Sequence, residues 1–455
     1  MKDVRGNLVG TCSAAALEAT ERALWSMLSF YGSPFDALDD AHAADPDWML
    51  PLLMQAGFLL SLTEPALLPQ ARALLERAAP MLARATPRER DHLGALHDLI
   101  AGDWAAACGA WEALLLREPR DLLALHWAHL FDFYRGDAVN LRQRVARVLP
   151  EWAEDDPFYP YVLGDYAFGL EECHLYAQAE EVGRRALSGS AKVPWAIHAV
   201  AHVMEMQGRW REGSDWMVAW QADWSQGNGF SPHLGWHQGL FALEALDHAQ
   251  ALRLFDAHLR ADPAQMTLQR LDAVALLWRL HLQGVDTGGR WNAISAAWHD
   301  SDRATSPVAG LYPFNDLHGL LALIGSGQLG RARAWVEHAA TQAARFGGGN
   351  ARVARDLGVP LMRGMLSFGG GRYDEAIDAL YPLRMMASHL GGSHAQRDLL
   401  DQTLLAAAAQ ARDGAVGRAL LNERRLAKPA TPLTDDWARR LKTRHPRHGA
   451  NGSPP

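Results

Sequence analysis

Apolar residues recur at helical spacing along the chain, and short polar or glycine-containing turns interrupt them. One such stripe on a single helical face consists of Trp195, Ile197, Val200, Ala201 and Met204. A stripe of this kind is typical of a helix that buries one side. Similar patterns over residues 15–31 and 48–60 predict two helices near the N-terminus. The pattern is helical throughout and predicts an all-α protein.

A helix-turn-helix unit repeats along this pattern. Residues 102–119 read GDWAAACGAWEALLLREP, with a turn glycine, a small residue, a large aromatic residue and a closing proline at fixed offsets. This order matches the second half of a tetratricopeptide repeat, in which the glycine forms the turn and the proline ends the helix. The template predicts turns at Gly102, Gly136, His174, Gly208, Leu246, Gly327, Gly371 and Gly414. The step from Leu246 to Gly327 is about twice the 34-residue period, which predicts one more pair around Gly284 to Trp298.

These repeats predict an α-solenoid of about eight or nine divergent tetratricopeptide-like units. We expect a single domain over residues 1–430, and a tight curl would turn its concave groove into a pocket. Residues 431–455 are predicted to form one short helix, over residues 434–441, and a disordered tail.

The composition of the chain bears on its partners and its location in the cell. The 455 residues are 49% hydrophobic and 21% charged, and the net charge is 44 − 52 = −8. An acidic balance favours neither nucleic acid nor an anionic membrane surface as a partner. The chain has three separated cysteines, and its N-terminus lacks a signal-peptide pattern. We therefore expect a soluble cytoplasmic protein.

Several segments resemble the tetratricopeptide repeat protein 38 family. They are HAADPDWMLPLLMQAGFLL near residue 42, LYAQAEEVGRRAL near 175, WAIHAVAHVMEMQGR at 195, HLGWHQGLFALE at 233, YPFNDLHGLLAL at 312 and GGSHAQRDLL at 391. The resemblance covers about residues 36–400 and implies an α-solenoid of divergent repeats. His174 and Leu246 depart from the repeat pattern because each stands where a glycine is conventional.

In the tetratricopeptide fold, the first helix of each repeat lines the concave groove. The resemblance to that fold implies that groove positions lie 13, 10, 6, 3 and 2 residues before the turn. Seven residues fall on these positions: Trp195, His198, His202, Glu205, His233, Trp236 and Glu244. Three more lie 9 residues before a turn, at the edge of the same face: Asp165, His237 and His318. We predict these ten residues as ligand-binding.

Four of the ten form two histidine pairs with i, i+4 spacing. These are His198 and His202 on one helix, and His233 and His237 on the next. Two imidazoles at this spacing reach one ion, and neutral imidazole is a common ligand of zinc, iron and copper. The pattern predicts a site for a divalent transition metal. The alternative is that these histidines are hydrogen-bonded polar groups that line the groove or tie adjacent helices together.

The sequence supports two functions. The leading one is a binding protein that holds a peptide segment or a small molecule in its concave groove. The alternative is an enzyme in which the histidine cluster binds a metal or performs acid–base chemistry on a small substrate. An open groove would favour a peptide scaffold, whereas a closed pocket with converging histidine rings would favour the enzyme.

Overall fold

The structure is a computed structural model that describes residues 1–190, 192–262, 266–299, 309–345, 347–412, 414–429 and 431–444. Its α-helices are α1 (Ala14–Ser29), α2 (Pro34–Ala44), α3 (Leu50–Ser61), α4 (Leu68–Ala78), α5 (Pro87–Ile100), α6 (Trp104–Leu115), α7 (Leu122–Tyr134), α8 (Ala138–Val148), α9 (Tyr159–Glu172), α10 (Tyr176–Gly189), α11 (Pro194–Met206) and α12 (Trp210–Ala219). They continue with α13 (Gln221–Trp224), α14 (Ser231–Glu244), α15 (His248–Leu254), α16 (Thr267–Leu282), α17 (Arg290–His299), α18 (Pro313–Gly325), α19 (Leu329–Arg345), α20 (Gly348–Val353), α21 (Val359–Gly369), α22 (Tyr373–Leu380), α23 (His394–Ala408), α24 (Ala415–Ala427) and α25 (Pro432–Arg444). The described residues form an all-α solenoid of tetratricopeptide-like helix pairs.

The two helices of each pair occupy different layers. In α11, 12 of 13 residues are buried, whereas in its partner α12 only Gly213, Trp216 and Met217 of 10 residues are buried. First helices of the central repeats, such as α11 and α14, therefore form an inner layer that is covered on nearly all sides, whereas α5, nearer the N-terminus, has 7 of its 14 residues buried. Second helices such as α12 form an outer layer that hides one face and exposes the other.

The turns between paired helices confirm most of the predicted repeat positions. Seven of the eight predicted turn residues have a positive φ angle, including His174 at 61° and Leu246 at 59°. Glycine adopts this left-handed conformation without a Cβ penalty, whereas His174 and Leu246 adopt it at an energetic cost. Gly414 is the exception: its φ angle is −90°, and it caps the N-terminus of α24.

The structure contains more repeats than expected. A pair formed by α16 and α17 fills the long step after Leu246, and Gly284 provides its left-handed turn. Two further pairs, α1 with α2 and α3 with α4, precede the first predicted turn. Eleven helix pairs lie within the described residues, so the expectation of about eight or nine was too low.

The solenoid coils tightly enough that its two halves meet across the concave side. Asn315 Nδ2 donates a hydrogen bond to Thr63 Oγ1 at 3.0 Å, and the backbone N–H of His394 donates to Glu172 Oε1 at 3.0 Å. These partners are 252 and 222 residues apart in the chain. The concave groove is consequently a pocket enclosed by inner helices from both halves.

The last helix, α25, packs onto this body, with Leu433, Trp437 and Leu441 buried. The predicted short helix is therefore confirmed, with longer bounds than residues 434–441. The predicted tail after Arg444 lies outside the described residues. Within the part of the chain that the structure describes, no helix is long and apolar enough to span a bilayer.

Close packing between layers gives a testable prediction at Gly213 of α12. A Cβ atom at Gly213 would lie 2.2 Å from the ring of Phe241 on α14, whereas a Cβ at Gly109 in α6 would meet no atom within 4 Å. We expect Gly213→Ala to lower the free energy of unfolding by about 1–3 kcal/mol through overpacking. Gly109→Ala, the same change on an exposed outer face, is expected to raise it by about 0.5–1 kcal/mol. Urea unfolding of both variants checks this prediction, and a shift of the same sign in both would contradict it.

Candidate functional site

A pocket of about 300 Å³ lies on the concave side of the solenoid. Most of its wall is apolar and comes from inner helices and the residues that flank them: Met27, Phe30, Phe58, Leu62, Trp127, Leu130, Phe133, Tyr134, Trp195, Phe230, Met266, Leu268, Leu271, Tyr312 and Phe314. Gly229 is exposed, and Phe30, Phe230 and Met266 are half-buried, which places the mouth of the pocket near them. The pocket has the size and character of a small-molecule site.

A four-histidine cluster forms one side of this pocket. His198 and His202 lie on α11, and His233 and His237 lie on α14, which packs beside α11. One ring nitrogen from each histidine lies within 4.8 Å of the others, and the Nε2 atoms of His198 and His233 are 2.9 Å apart. The structure thus brings together the four histidines that the sequence analysis predicted to share a site.

Two carboxylates stand behind the cluster. Asp272 Oδ2, on α16, is 2.9 Å from His233 Nδ1. Glu171 Oε2, on α9, is 3.3 Å from His202 Nδ1. Asp272 accepts the N–H of His233 Nδ1 and so leaves Nε2 of that ring facing His198, whereas Glu171 lies beside His202 without a hydrogen bond to it.

Burial determines the electrostatics of the cluster. His198, His202 and His237 are at most 1% exposed. Burial lowers the pKa of each of these imidazoles well below its usual value, and the neighbouring histidines and basic side chains also disfavour the protonated form. At neutral pH these three rings are therefore uncharged, and each offers a lone pair.

Several of these nitrogens lack a hydrogen-bond partner among the described residues. They are His198 Nδ1 and both ring nitrogens of His202 and of His237. A buried polar atom without a partner costs about 1–3 kcal/mol. So many unpartnered nitrogens in one place indicate a site built for a group that accepts their lone pairs.

Trp195, His198 and His233 line the pocket as predicted, but Trp236 does not. Trp195 donates from Nε1 towards His129 Nε2 at 3.4 Å and forms part of the pocket wall. Trp236 is fully buried behind the cluster, stacked on His233 with 5.3 Å between the ring centroids. Its role is to support the cluster from behind.

Glu205 and Glu244 were expected on the groove surface, and the structure corrects that expectation. Lys428 Nζ is in contact with Glu205 and lies 3.3 Å from Glu244 Oε1, while Arg424 pairs with Glu244 from the other side. Burial alone would raise the pKa of Glu244, but Arg424 and Lys428 outweigh it and hold this pKa below its usual value. Both glutamates therefore anchor the C-terminal segment.

Asp165 and His318 lie apart from the cluster. Asp165 lines a small crevice beside His126 and His129, and burial raises its pKa well above the usual value. His318 Nδ1 is 2.8 Å from the Phe314 carbonyl oxygen, and the ring borders a separate small crevice beside Leu361. Neither residue contacts the four-histidine cluster, although both were predicted as ligand-binding.

Neither of the two carboxylates behind the cluster, Glu171 and Asp272, was among the residues predicted from the sequence. Glu171 lies three residues before the turn at His174, which is a groove position by the same offsets. Asp272 lies on α16, 12 residues before the left-handed turn at Gly284, and this offset is not one of the groove positions. The offsets could therefore have revealed Glu171 but not Asp272.

No protein-family model matches the chain. Among solved structures, a tetratricopeptide repeat protein from Parabacteroides merdae is similar at 13% identity, with 65% of this chain and 98% of that chain covered and a TM-score of 0.33. Yeast Tom70 is similar at 12% identity, with 94% of this chain and 86% of that chain covered and a TM-score of 0.37. The tetratricopeptide-like architecture of this chain is evident from its own helix pairs and left-handed turns.

The buried pairing of Lys428 gives a second testable prediction. Lys428→Met leaves the buried Glu205 without its cation, and breaking a buried ion pair costs about 3–5 kcal/mol. We expect a loss of this size in the free energy of unfolding, measured by urea denaturation. Lys442→Met, the same change at an exposed lysine of α25, is the control and is expected to change stability by less than about 0.5 kcal/mol.

Adding Glu205→Gln to Lys428→Met removes the stranded charge and is expected to recover part of the lost stability. Equal unfolding midpoints for Lys428→Met and the wild-type protein would show that the pairing contributes nothing.

Proposed function

We propose that this tetratricopeptide-type protein binds one small, mainly apolar molecule in its internal pocket. The single observation that carries the proposal is the pocket itself, about 300 Å³ within a wall of buried aromatic and aliphatic side chains. Burial of an apolar molecule there supplies the affinity, because binding removes apolar surface of both the ligand and the pocket wall from contact with water.

Polar groups in the wall are few and partly gathered at the histidine cluster. His198, His233 and Asp272 are the pocket residues that contact one another there. A bound molecule would therefore carry one polar end directed at His233, which is the most exposed ring of the four. This arrangement favours a ligand with an apolar body and an oxygen or nitrogen function at the end that faces His233.

A peptide segment in the concave groove fits the structure less well. An extended peptide needs about 3.3 Å of open channel per residue. Contacts between the two halves of the chain, such as Asn315 with Thr63, cross the concave side where such a channel would run. The small-molecule alternative is therefore the better-supported one.

Chemistry on the bound molecule is a second candidate function. It is favoured by His233, which borders the pocket and has Asp272 behind it. We expect that incubating the protein with a cell extract of small molecules depletes one component and produces another, as followed by mass spectrometry. The control is His233→Ala, which is expected to abolish the change. Identical extracts with and without the wild-type protein would contradict an enzymatic role.

We also propose membership of the tetratricopeptide repeat protein 38 family and a cytoplasmic location. Support for the family is the segment HAVAHVMEMQGR, which forms much of α11 and contributes two cluster histidines. Support for the location is that Cys12, Cys108 and Cys173 are all free thiols, as is usual in a reducing compartment. The structure of another family member tests the first point, because it should contain the same four-histidine cluster.

Filling the pocket tests the binding function. Leu130→Trp places a larger side chain in the pocket wall and is expected to weaken binding of the apolar probe 1-anilinonaphthalene-8-sulfonate at least about tenfold, since one aromatic ring removes much of the available volume. Energy transfer from wall tryptophans such as Trp195 to the probe reports occupancy of this pocket. Leu116→Trp, at a side chain that is 72% exposed, is the matched control.

Unchanged probe affinity in Leu130→Trp would contradict the pocket as the binding site. Binding of extended peptides with affinity unaffected by Leu130→Trp would favour the peptide scaffold instead.

A further inference from the structure

The four-histidine cluster combines the features of a metal centre. Its four imidazoles come from two adjacent inner helices, and one nitrogen of each lies within 4.8 Å of the other three. In a tetrahedral site with metal–nitrogen bonds of about 2.05 Å, the ligand nitrogens are separated by roughly 3.3 Å. The separation of 2.9 Å between His198 Nε2 and His233 Nε2 is close to that value. Small movements of side chains bring the four nitrogens onto one ion.

The unpartnered nitrogens provide an independent observation. His202 and His237 are fully buried, and neither ring has a hydrogen bond on either nitrogen within the described part of the chain. An unpartnered nitrogen is explained if it donates its lone pair to a cation. By contrast, buried His318 pairs Nδ1 with the Phe314 carbonyl and leaves only Nε2 without a partner, and it belongs to no group of three or more possible ligands among the described residues.

The carboxylates behind the rings are placed as they are in histidine metal sites. Asp272 lies 2.9 Å from His233 Nδ1, and Glu171 lies 3.3 Å from His202 Nδ1. A metal-binding histidine commonly donates its second N–H to such a carboxylate, which fixes the orientation of the ring and strengthens the ligand. His233 has this support, and Glu171 lies close to His202 Nδ1 without a hydrogen bond to it.

Charge balance points to a cation as well. Glu171 is fully buried, and neither of its carboxylate oxygens accepts a hydrogen bond from the described residues. The nearby cations have other carboxylate partners, because buried Lys428 pairs with Glu205 and half-buried Arg397 pairs with Glu172. Burial and the neighbouring Glu172 and Glu205 raise the pKa of Glu171 well above its usual value, so the charge that a divalent cation among the imidazoles would compensate is that of Asp272.

We propose that His198, His202, His233 and His237 bind one divalent transition-metal ion, with Asp272 and Glu171 as positioning residues behind them. An all-imidazole set favours zinc, iron, cobalt, nickel or copper over magnesium and calcium, which prefer oxygen ligands. Because His198 and His233 also line the pocket, an oxygen or nitrogen atom of the pocket ligand meets the metal. This last step rests on the proposed small-molecule function.

The test uses full-length protein without a polyhistidine tag. Metal content is measured by mass spectrometry after purification, and the chelator-treated protein is then titrated with Co²⁺, whose visible absorption reports nitrogen coordination. We expect about one Co²⁺ per chain. The variants His198→Ala and His237→Ala are expected to lose it. His318→Ala, at a buried histidine outside the cluster, is expected to retain it.

Asp272→Asn provides a second measurement that does not remove a ligand. It is expected to weaken Co²⁺ affinity about 10–100-fold and to alter the absorption spectrum while the helical circular dichroism stays the same. This variant also keeps the proposal testable if an alanine variant fails to fold. A structural role of Asp272 alone would leave the cobalt spectrum unchanged.

Failure of Co²⁺, Zn²⁺, Cu²⁺ and Fe²⁺ to bind the wild-type protein would overturn the metal site. Equal binding by the wild-type protein and both folded alanine variants would do the same. Binding of the apolar probe to metal-free protein distinguishes the two proposals. Probe binding without metal binding would overturn only the metal site. Metal binding without probe binding would overturn only the small-molecule function.

Discussion

Burial of the central inner helices, such as α11 and α14, on nearly every side is the constraint on which the rest of this structure depends. A solenoid that stayed open would leave one face of each inner helix in water, where polar side chains need no protein partner. Here the chain coils until its halves touch, and that face becomes interior. Each polar group on it must then find a partner, because an unpartnered buried charge is far more costly than a solvated one.

Buried polar groups on the inner helices are partnered in two different ways. Near the C-terminus the partners are protein groups: Lys428 and Arg424 reach into the body and pair with Glu205 and Glu244. At the four-histidine cluster the protein supplies carboxylates to His202 and His233 but leaves ring nitrogens free. The two regions adjoin, since Glu205 follows His202 by one helical turn on α11. The ion pairs thus fix the end of the helix that carries half of the cluster.

Repeat signals allowed much of the architecture to be predicted. The left-handed turns at His174 and Leu246 lack glycine but were found from the small and aromatic residues that follow them. The same signals failed for the first two helix pairs, whose turns at Phe30 and Thr63 do not fit the glycine template. The four histidines of the cluster were predicted together because i, i+4 spacing and the groove offsets are local quantities. Asp272 was missed because it lies 12 residues before its turn at Gly284, which is not one of the groove offsets.

By itself, the sequence determined the helical period, the turn positions and the face on which each histidine lies, because these depend on residues within one repeat. Only the tertiary structure decided that the groove closes into a pocket, because small rotations between repeats add up over the whole array. It also decided that Glu205 meets Lys428, 223 residues away. Partners so distant in the chain are set by the summed coil of the solenoid, which no local pattern of residues encodes.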